Sequence, residues 1–284
     1  MNDSRILILG AKGQLGLALQ AQYPNAKTAD TDTLDITDLK SINSYDWATI
    51  DVILNAAAYT NVDGAETPDG RTAAWDVNAT AVSYLATVAQ QNDLTLVHIS
   101  TDYVFDGTRG THTETEKFAP LSVYGASKAA GDIAVATTKK HYILRTSWVI
   151  GEGKNFVRTM LDLGNRGINP TVVSDQVGRL TFTSELVRAI DHLLSTKPTY
   201  GTYNVSNAGE SVSWADITRA IYSIAGLPNT VTDTTTAEYY AGKDGIAPRP
   251  LKSTLDLSKL QDSGFTSTDW QEALKDYIDK EKSA

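Results

Sequence analysis

The sequence predicts an α/β protein: a doubly wound parallel sheet with a smaller C-terminal α/β body that serves as a substrate-binding lid. Three observations carry that expectation. Five short apolar runs alternate with helical periodicity, the pattern of βαβ units whose strands are buried on both faces. A glycine-rich turn joins the first run to the first helix. After Gly151 the rhythm breaks into shorter, less regular elements.

Composition narrows the function classes. The chain has 284 residues, 41% apolar and 21% charged, ordinary proportions for a globular protein with room for a large domain and an appendage. It has no cysteine, which excludes disulfides and thiolate nucleophiles or metal ligands. A net charge of -9 with no basic cluster argues against a nucleic-acid partner. No apolar run reaches the roughly 18 residues that span a bilayer, and no basic-then-apolar leader opens the chain. A cytoplasmic protein with no membrane partner is expected.

Residues 5–9 form the first predicted strand. Gly10-Ala11-Lys12-Gly13-Gln14-Leu15-Gly16 follows, and 15–22 reads as helix. In this Gly-x-x-Gly-x-x-Gly spacing Gly10 permits a tight turn, Gly13 lets backbone approach a pyrophosphate, and Gly16 lets helix pack on strand. Free amides at the helix start then meet the anion. This is the cofactor end of a Rossmann-type fold. A short strand over 26–29 ends at Asp30, 20 residues past Gly10, where such folds set an acid on the adenosine ribose. Asp30 favours NAD(H), because a carboxylate repels a 2′-phosphate. Lys12 pulls weakly toward NADP(H), and Asp32 competes with Asp30 for the role. Either Asp35 or Thr37 caps the next helix, or Asp35 and Ile36 line the adenine, and the residues leave both readings open.

Residues 51–55 are the third strand, and Ala56-Ala57-Ala58 at its carboxyl end leave room for a ribose and nicotinamide. Residues 66–92 read as largely helical, with Ala73, Val77, Ala81, Leu85 and Val88 on the buried face. Asn78 lies beside that face, placed to steady the active-site backbone. Strand four, 95–99, runs into Ser100-Thr101-Asp102-Tyr103-Val104-Phe105-Asp106-Gly107, and an acidic loop leads to Tyr124-Gly125-Ala126-Ser127-Lys128. Tyr124 and Lys128 are four apart, so on a helix they address one small volume. A phenol titrates at about pH 10, and an ammonium held close favours the phenolate and lowers that value. The Thr101 hydroxyl at the strand end could bond the same carbonyl that Tyr124 protonates, the outline of a carbonyl-reduction site. Strand five, 141–145, leads to Thr146-Ser147-Trp148-Val149-Ile150-Gly151.

Residues 1–150 are thus expected to form the NAD(P)-binding domain, joined by about 180–206 returning to the sheet, and 151–284 mainly the lid. The second half reads as a helix at 155–164, a strand at 171–173, a helix at 184–194 and a late strand at 201–205. A helix follows at 213–225 with Ser213 as cap, then a Thr-rich stretch to Pro250. The last helix, 270–280, takes Thr268 or Asp269 as its cap. Arg249, between two prolines, is a candidate anion contact for the lid.

Taken in order, these motifs resemble the dTDP-4-dehydrorhamnose reductases, a family of extended short-chain dehydrogenases/reductases. The resemblance rests on Gly10-x-x-Gly13-Gln14-Leu15-Gly16, on 55–63, on 100–107, on Tyr124-Gly125-x-x-Lys128 and on Arg145-Thr146-Ser147-Trp148-Val149. It continues through Lys154-Asn155-Phe156, Val173-x-Asp175-Gln176-x-Gly178 and Arg249-Pro250 to Trp270, almost the whole chain. It implies Tyr124 as proton donor to a sugar 4-keto oxygen, Lys128 as its partner on the nicotinamide ribose, and Thr101 orienting the ketone. Asp102, Trp148 and Arg249 are the implied substrate contacts. Gly10, Gly13, Gln14, Leu15, Asp30, Asp35, Ile36, Ala57, Ala58 and Tyr59 are the implied contacts to NADPH or NADH.

Some members of the family form dimers linked by a metal such as Mg2+ through acidic residues. Leu17-Ala18-Leu19-Gln20 supplies no acid, so no metal is expected, and the assembly is read as monomer or homodimer. Sugar-nucleotide dehydratases place a glutamate where this chain has Tyr103, and eliminating water needs that carboxylate, which disfavours a dehydratase. Two other readings remain: an epimerase or another sugar-nucleotide reductase, and an NADP-binding regulatory subunit resembling the beta subunit of methionine adenosyltransferase.

Overall fold

The computed structural model describes residues 2–283. Its centre is a six-stranded sheet in which every neighbouring pair runs parallel. The first five strands are β1 (Ile6–Leu9), β2 (Lys27–Ala29), β3 (Val52–Asn55), β4 (Thr95–Thr101) and β5 (His141–Thr146). The sixth, Gly201–Asn204, returns from the second half of the chain and pairs with β5. Across the sheet the order is β2, β1, β3, β4, β5, then this late strand. The order reverses between β1 and β3, which makes the crevice outside their carboxyl ends the topological switch point where doubly wound sheets bind ligands.

The strands read as unbroken apolar runs because both faces are covered. Ile6, Ile8, Leu54, Val97 and Leu144 meet Leu15 and Leu19 of α1 (Gln14–Gln22) together with Leu186, Ile190 and Leu193 from a later helix. Leu7, Leu9, Ile53, Leu96 and Ile143 face the other way, against Val82, Leu85 and Ala89. Burying each such side chain contributes about 1.5–3 kcal/mol, so successive residues of one strand hold both layers on the sheet.

The largely helical stretch expected over 66–92 is found. After a 3-10 turn at Gly64–Glu66, helix α3 (Pro68–Trp75) continues through a π turn at Asp76–Thr80 into α4 (Ala81–Gln91). Through the π turn the buried positions are Gly70, Ala74 and Asn78 rather than Ala73 and Val77, while Ala81, Leu85 and Val88 are buried as expected. Helix α2 (Leu39–Ser44) is capped by Asp38, which accepts from the Lys40 amide, and not by Asp35 or Thr37. Asp35 instead accepts both the amide and the hydroxyl of Thr37 in its own turn.

The second half carries a separate apolar cluster. Val157 and Met160 of the helix at Phe156–Asn165, Ile217 and Ile221 of Trp214–Ala225, and Trp270, Leu274 and Ile278 of Trp270–Ser283 pack together. Asn155 caps the first of these helices and Ser213 caps the second, there with Asp216 closing a capping box. Asp269 accepts from the Gln271 amide at the start of the third. Inside the Thr-rich stretch Thr232–Thr234 forms a strand pairing in parallel with Thr171–Val173.

Candidate active site

The glycine loop does what its spacing predicts. Gly10 has φ +73°, and a Cβ there would lie 2.7 Å from the Ala57 backbone, so the turn after β1 and the alanine run after β3 touch with no room for a side chain. A Cβ on Gly16 would come within 2.2 Å of the Gly10 carbonyl, which seats α1 directly on the turn. Gly13 is different: only the Gly10 carbonyl, at 3.3 Å, lies near its Cβ position, and Gly13 itself lines an open cavity. The first-turn amides of α1 open on that side, the arrangement that receives a pyrophosphate.

This cavity, about 770 Å³, runs from Lys12, Gly13, Gln14 and Leu15 past Ala56 and Ala58 to the ends of β4 and β5. Thr101, Asp102, Tyr124, Lys128 and Trp148 all line it. Strand β4 runs two residues further than the apolar run suggested and ends on Thr101, whose hydroxyl caps a 3-10 turn at Asp102–Val104. Helix α5 (Val123–Val135) starts on a Ser122 cap, and a Cβ on its Gly125 would lie 2.2 Å from the Tyr103 carbonyl. That contact presses the first turn of α5 onto the turn after β4. It brings Tyr124 to the same cavity wall as Thr101, whose hydroxyl donates to Asp102 Oδ1 at 3.0 Å.

The electrostatics of the free site correct one expectation. Burial pushes the Tyr124 phenol well above its ordinary range, the Thr101 bond opposes this only in part, and Asp102 and Asp132 add to the rise. Lys128 does not lower it here. Its Nζ donates to the Ile99 carbonyl at 2.6 Å, and burial brings the ammonium down to about 8 against the pull of Asp132. Asp102 is 2% exposed, and burial raises its carboxyl to about 6. At neutral pH the buried phenol therefore carries its proton, and burial makes the Lys128 ammonium more acidic than a free lysine.

The remaining predicted residues divide. Trp148 lies on the cavity with φ +49°, a left-handed backbone that costs a non-glycine residue about 1–3 kcal/mol and is held where a site demands it. Trp214 stacks on it at 3.8 Å with the planes 20° apart and lines the same cavity, a partner that sequence reading missed. Asn78 accepts the Tyr59 amide at 2.9 Å and donates to the Tyr59 carbonyl and the Ser127 hydroxyl at 3.1 Å, so it does steady the backbone around the site. Asp30 accepts from the Lys12 amide and lines a smaller hollow with Asp32 and Thr33, while the Lys12 ammonium pairs with Asp32. Asp35 and Ile36 are not brought to the main cavity, and Ile36 is core, 5% exposed.

Arg249 pairs with an acid. Both carboxylate oxygens of Asp63 accept from its Nη2 at 2.9 Å, and Nη1 donates to the Ala247 carbonyl. The guanidinium therefore ties residues 247–249 to the loop after β3. Sequence reading also missed the buried pair of Arg145 and Asp132, at 3.0 Å, behind Lys128. Among the described residues no group of three or more histidine or acidic side chains is placed to share a metal ion, and no helix is long and apolar enough to cross a membrane.

Fold and site together define a dinucleotide-dependent oxidoreductase of the extended short-chain type. Residues 4–283 match the model of the RmlD substrate binding domain, and the chain belongs to that family. It is 39% identical to a dTDP-4-dehydrorhamnose reductase of Aggregatibacter actinomycetemcomitans, over 96% of this chain and 97% of the relative. It is 37% identical to the spore coat polysaccharide biosynthesis protein SpsK of Bacillus subtilis, over 99% of each. Among solved structures it superposes on a dTDP-4-dehydrorhamnose reductase from Bacillus anthracis in complex with NADP, with a TM-score of 0.90 and 36% identity, covering 99% of this chain and 100% of that one.

Proposed function

We propose that this chain reduces dTDP-4-dehydro-L-rhamnose to dTDP-L-rhamnose at the cavity where Thr101, Tyr124 and Lys128 converge. That convergence, at the carboxyl ends of a parallel sheet, is the observation that carries the reading. The relatives named as dTDP-4-dehydrorhamnose reductases supply the substrate. NADPH or NADH, when bound, supplies the hydride that the ketone carbon accepts. The Gly13–Leu15 amides, Ala58 and Lys128 are the residues that would hold it, because they line one continuous groove.

The chain's own residues supply the proton and the orientation. Tyr124 passes its phenolic proton to the 4-keto oxygen as negative charge builds there, and the Thr101 hydroxyl bonds the same oxygen. Lys128 offers a positive charge one helical turn away, so the phenolate left behind is stabilised once the site closes. Asp102 and Trp148 bound the sugar, and the smaller body carrying Trp214 closes as a lid over the base. The protein acts as a monomer or homodimer in the cytoplasm. Tyr103, in place of an acid-base carboxylate, disfavours water elimination. The regulatory-subunit reading is not favoured, since the Thr101, Tyr124 and Lys128 set is complete and lines an open cavity.

The test is oxidation of NADPH or NADH, followed by absorbance, on enzymatically prepared dTDP-4-dehydro-L-rhamnose. Turnover that falls at least 100-fold in Tyr124→Phe supports the reading, since general acid catalysis contributes about 10²–10⁴-fold. Protein that binds cofactor but oxidises neither form would overturn it.

A further inference from the structure

One buried titratable group near the reaction centre has no part in the steps above. His98 sits on β4 with 0% exposure. Its Nε2 lies 3.4 Å from Lys128 Nζ, and its Nδ1 lies 3.0 Å from Asn55 Nδ2. The orientation of the Asn55 amide is set by a third group, because Asn55 Oδ1 accepts the Ala57 amide at 3.2 Å. Nδ2, which can only donate, therefore faces the ring, and Nδ1 must accept. Burial beside Lys128 keeps the imidazole neutral. A neutral ring has one proton, which this network leaves on Nε2. That N–H points at the lysine, a donor set against a donor.

We propose that His98 is a positioning residue for the reduction: fixed as the Nε2–H tautomer by Asn55, it turns a donor on Lys128, holds the amine to the Ile99 carbonyl and loosens its proton. The inference rests on the reductase reading. The charged and titratable groups around the amine are Asp132, one turn further along α5, and Tyr124, one turn back. Asp132 favours the ammonium but is shared with Arg145 from β5. Asp102, at the end of β4, lies beside Tyr124. His98 is the neighbour that works against the charge at short range. A line of contacts runs from Lys128 through His98 and Asn55 to the Ala57 amide, in the backbone that meets the glycine loop. It couples the acid end of the site to the cofactor groove.

Two measurements test it. Nitrogen-15 NMR of histidine-labelled native protein, which has four histidines, reads the His98 tautomer with neither substrate nor turnover. The expected result is a proton on Nε2 and no titration of that ring down to pH 5, and a proton on Nδ1 overturns the proposal. The second measurement is the pH profile of kcat/KM. Activity is lost on the basic side as the ammonium deprotonates, and His98→Phe, which keeps a flat ring but removes the N–H, moves that limb up by about one pH unit. A downward move means the ring had accepted from the ammonium, and an unmoved limb means it only fills space. Either refutes the assignment. Because the NMR experiment needs no reaction, a failure of the reductase reading and a failure of the tautomer assignment are told apart, and a variant that does not fold leaves the first measurement intact.

Discussion

Gly13→Ala and Gly16→Ala should separate the glycine that serves the ligand from the glycine that serves the fold. At Gly16 a methyl would lie 2.2 Å from the Gly10 carbonyl and 2.7 Å from the Ala11 carbonyl, both backbone atoms that cannot swing aside. Helix α1 must withdraw by about 1 Å to restore contact distance, and overpacking of that kind costs about 1–3 kcal/mol. For a chain of this size that lowers Tm by about 2–5 °C. At Gly13 the nearest atom is 3.3 Å away and φ is -77°, a backbone that alanine adopts freely. The Gly10 carbonyl must give by only a few tenths of an ångström, and the entropy lost from the unfolded chain offsets that strain, so Gly13→Ala should melt much closer to the wild type than Gly16→Ala. Its methyl, however, projects at the cavity where the pyrophosphate is proposed to lie, and NADPH affinity should fall about 10- to 100-fold, or about 1.4–2.8 kcal/mol. Thermal melts without cofactor and calorimetric titration with NADPH measure the two effects independently. Gly13→Ala melting as low as Gly16→Ala, or binding NADPH like the wild type, would refute the division of roles. So would Gly16→Ala melting at the wild-type temperature.

Two more predictions follow from buried groups at the cavity. Burial raises the Asp102 carboxyl from 3.8 to about 6, so between those values the native state holds a proton that the unfolded chain has released. Stability contributed by that proton is lost as pH rises through the window, about 3 kcal/mol in all. Asp102→Asn, which keeps an oxygen for the Thr101 hydroxyl, should match the wild-type Tm near pH 4 and exceed it above pH 6, and a flat or negative difference across that range would contradict the assignment. Trp214→Ala should raise KM for the dTDP-sugar about 5- to 10-fold with little change for NADPH, because Trp148 loses a stacked partner of the kind that contributes about 0.5–1.5 kcal/mol. Trp214→Phe should recover most of the loss. An equal rise in both KM values would show general disorder of the lid instead.

What could be read in the chain follows from how local its cause is. Ile6–Leu9, Val52–Asn55 and His141–Thr146 are visible as strands because burial on both faces leaves no polar position to interrupt the run. Tyr124 and Lys128 are visible as a pair because helical geometry alone puts residues four apart on one face. The π turn at Asp76–Thr80 was invisible, since a helix periodicity carries no mark of one widened turn. Yet that turn places Asn78 where it grips Tyr59 and Ser127, so a break in the local rule coincides with a site contact. Asp35 and Thr37 were candidates for a cap because both side chains suit the role. The choice of Asp38 was made by where the chain turns after Ile36 enters the core.

By itself the sequence determined the alternation of strand and helix, the conformation of the glycine turn and the nature of the reacting groups. These depend on backbone sterics, on burial patterns of a few residues and on side-chain chemistry. Tertiary structure alone decided which distant groups meet. Arg249 is paired with Asp63, 186 residues away. Trp148 rests on Trp214, which lies far along the chain, and Lys128 finds the Ile99 carbonyl and His98. Protonation was decided there too, since desolvation depends on everything packed around a group. The same buried environment raises the Tyr124 phenol and lowers the Lys128 ammonium, and neither direction is written in the spacing between them.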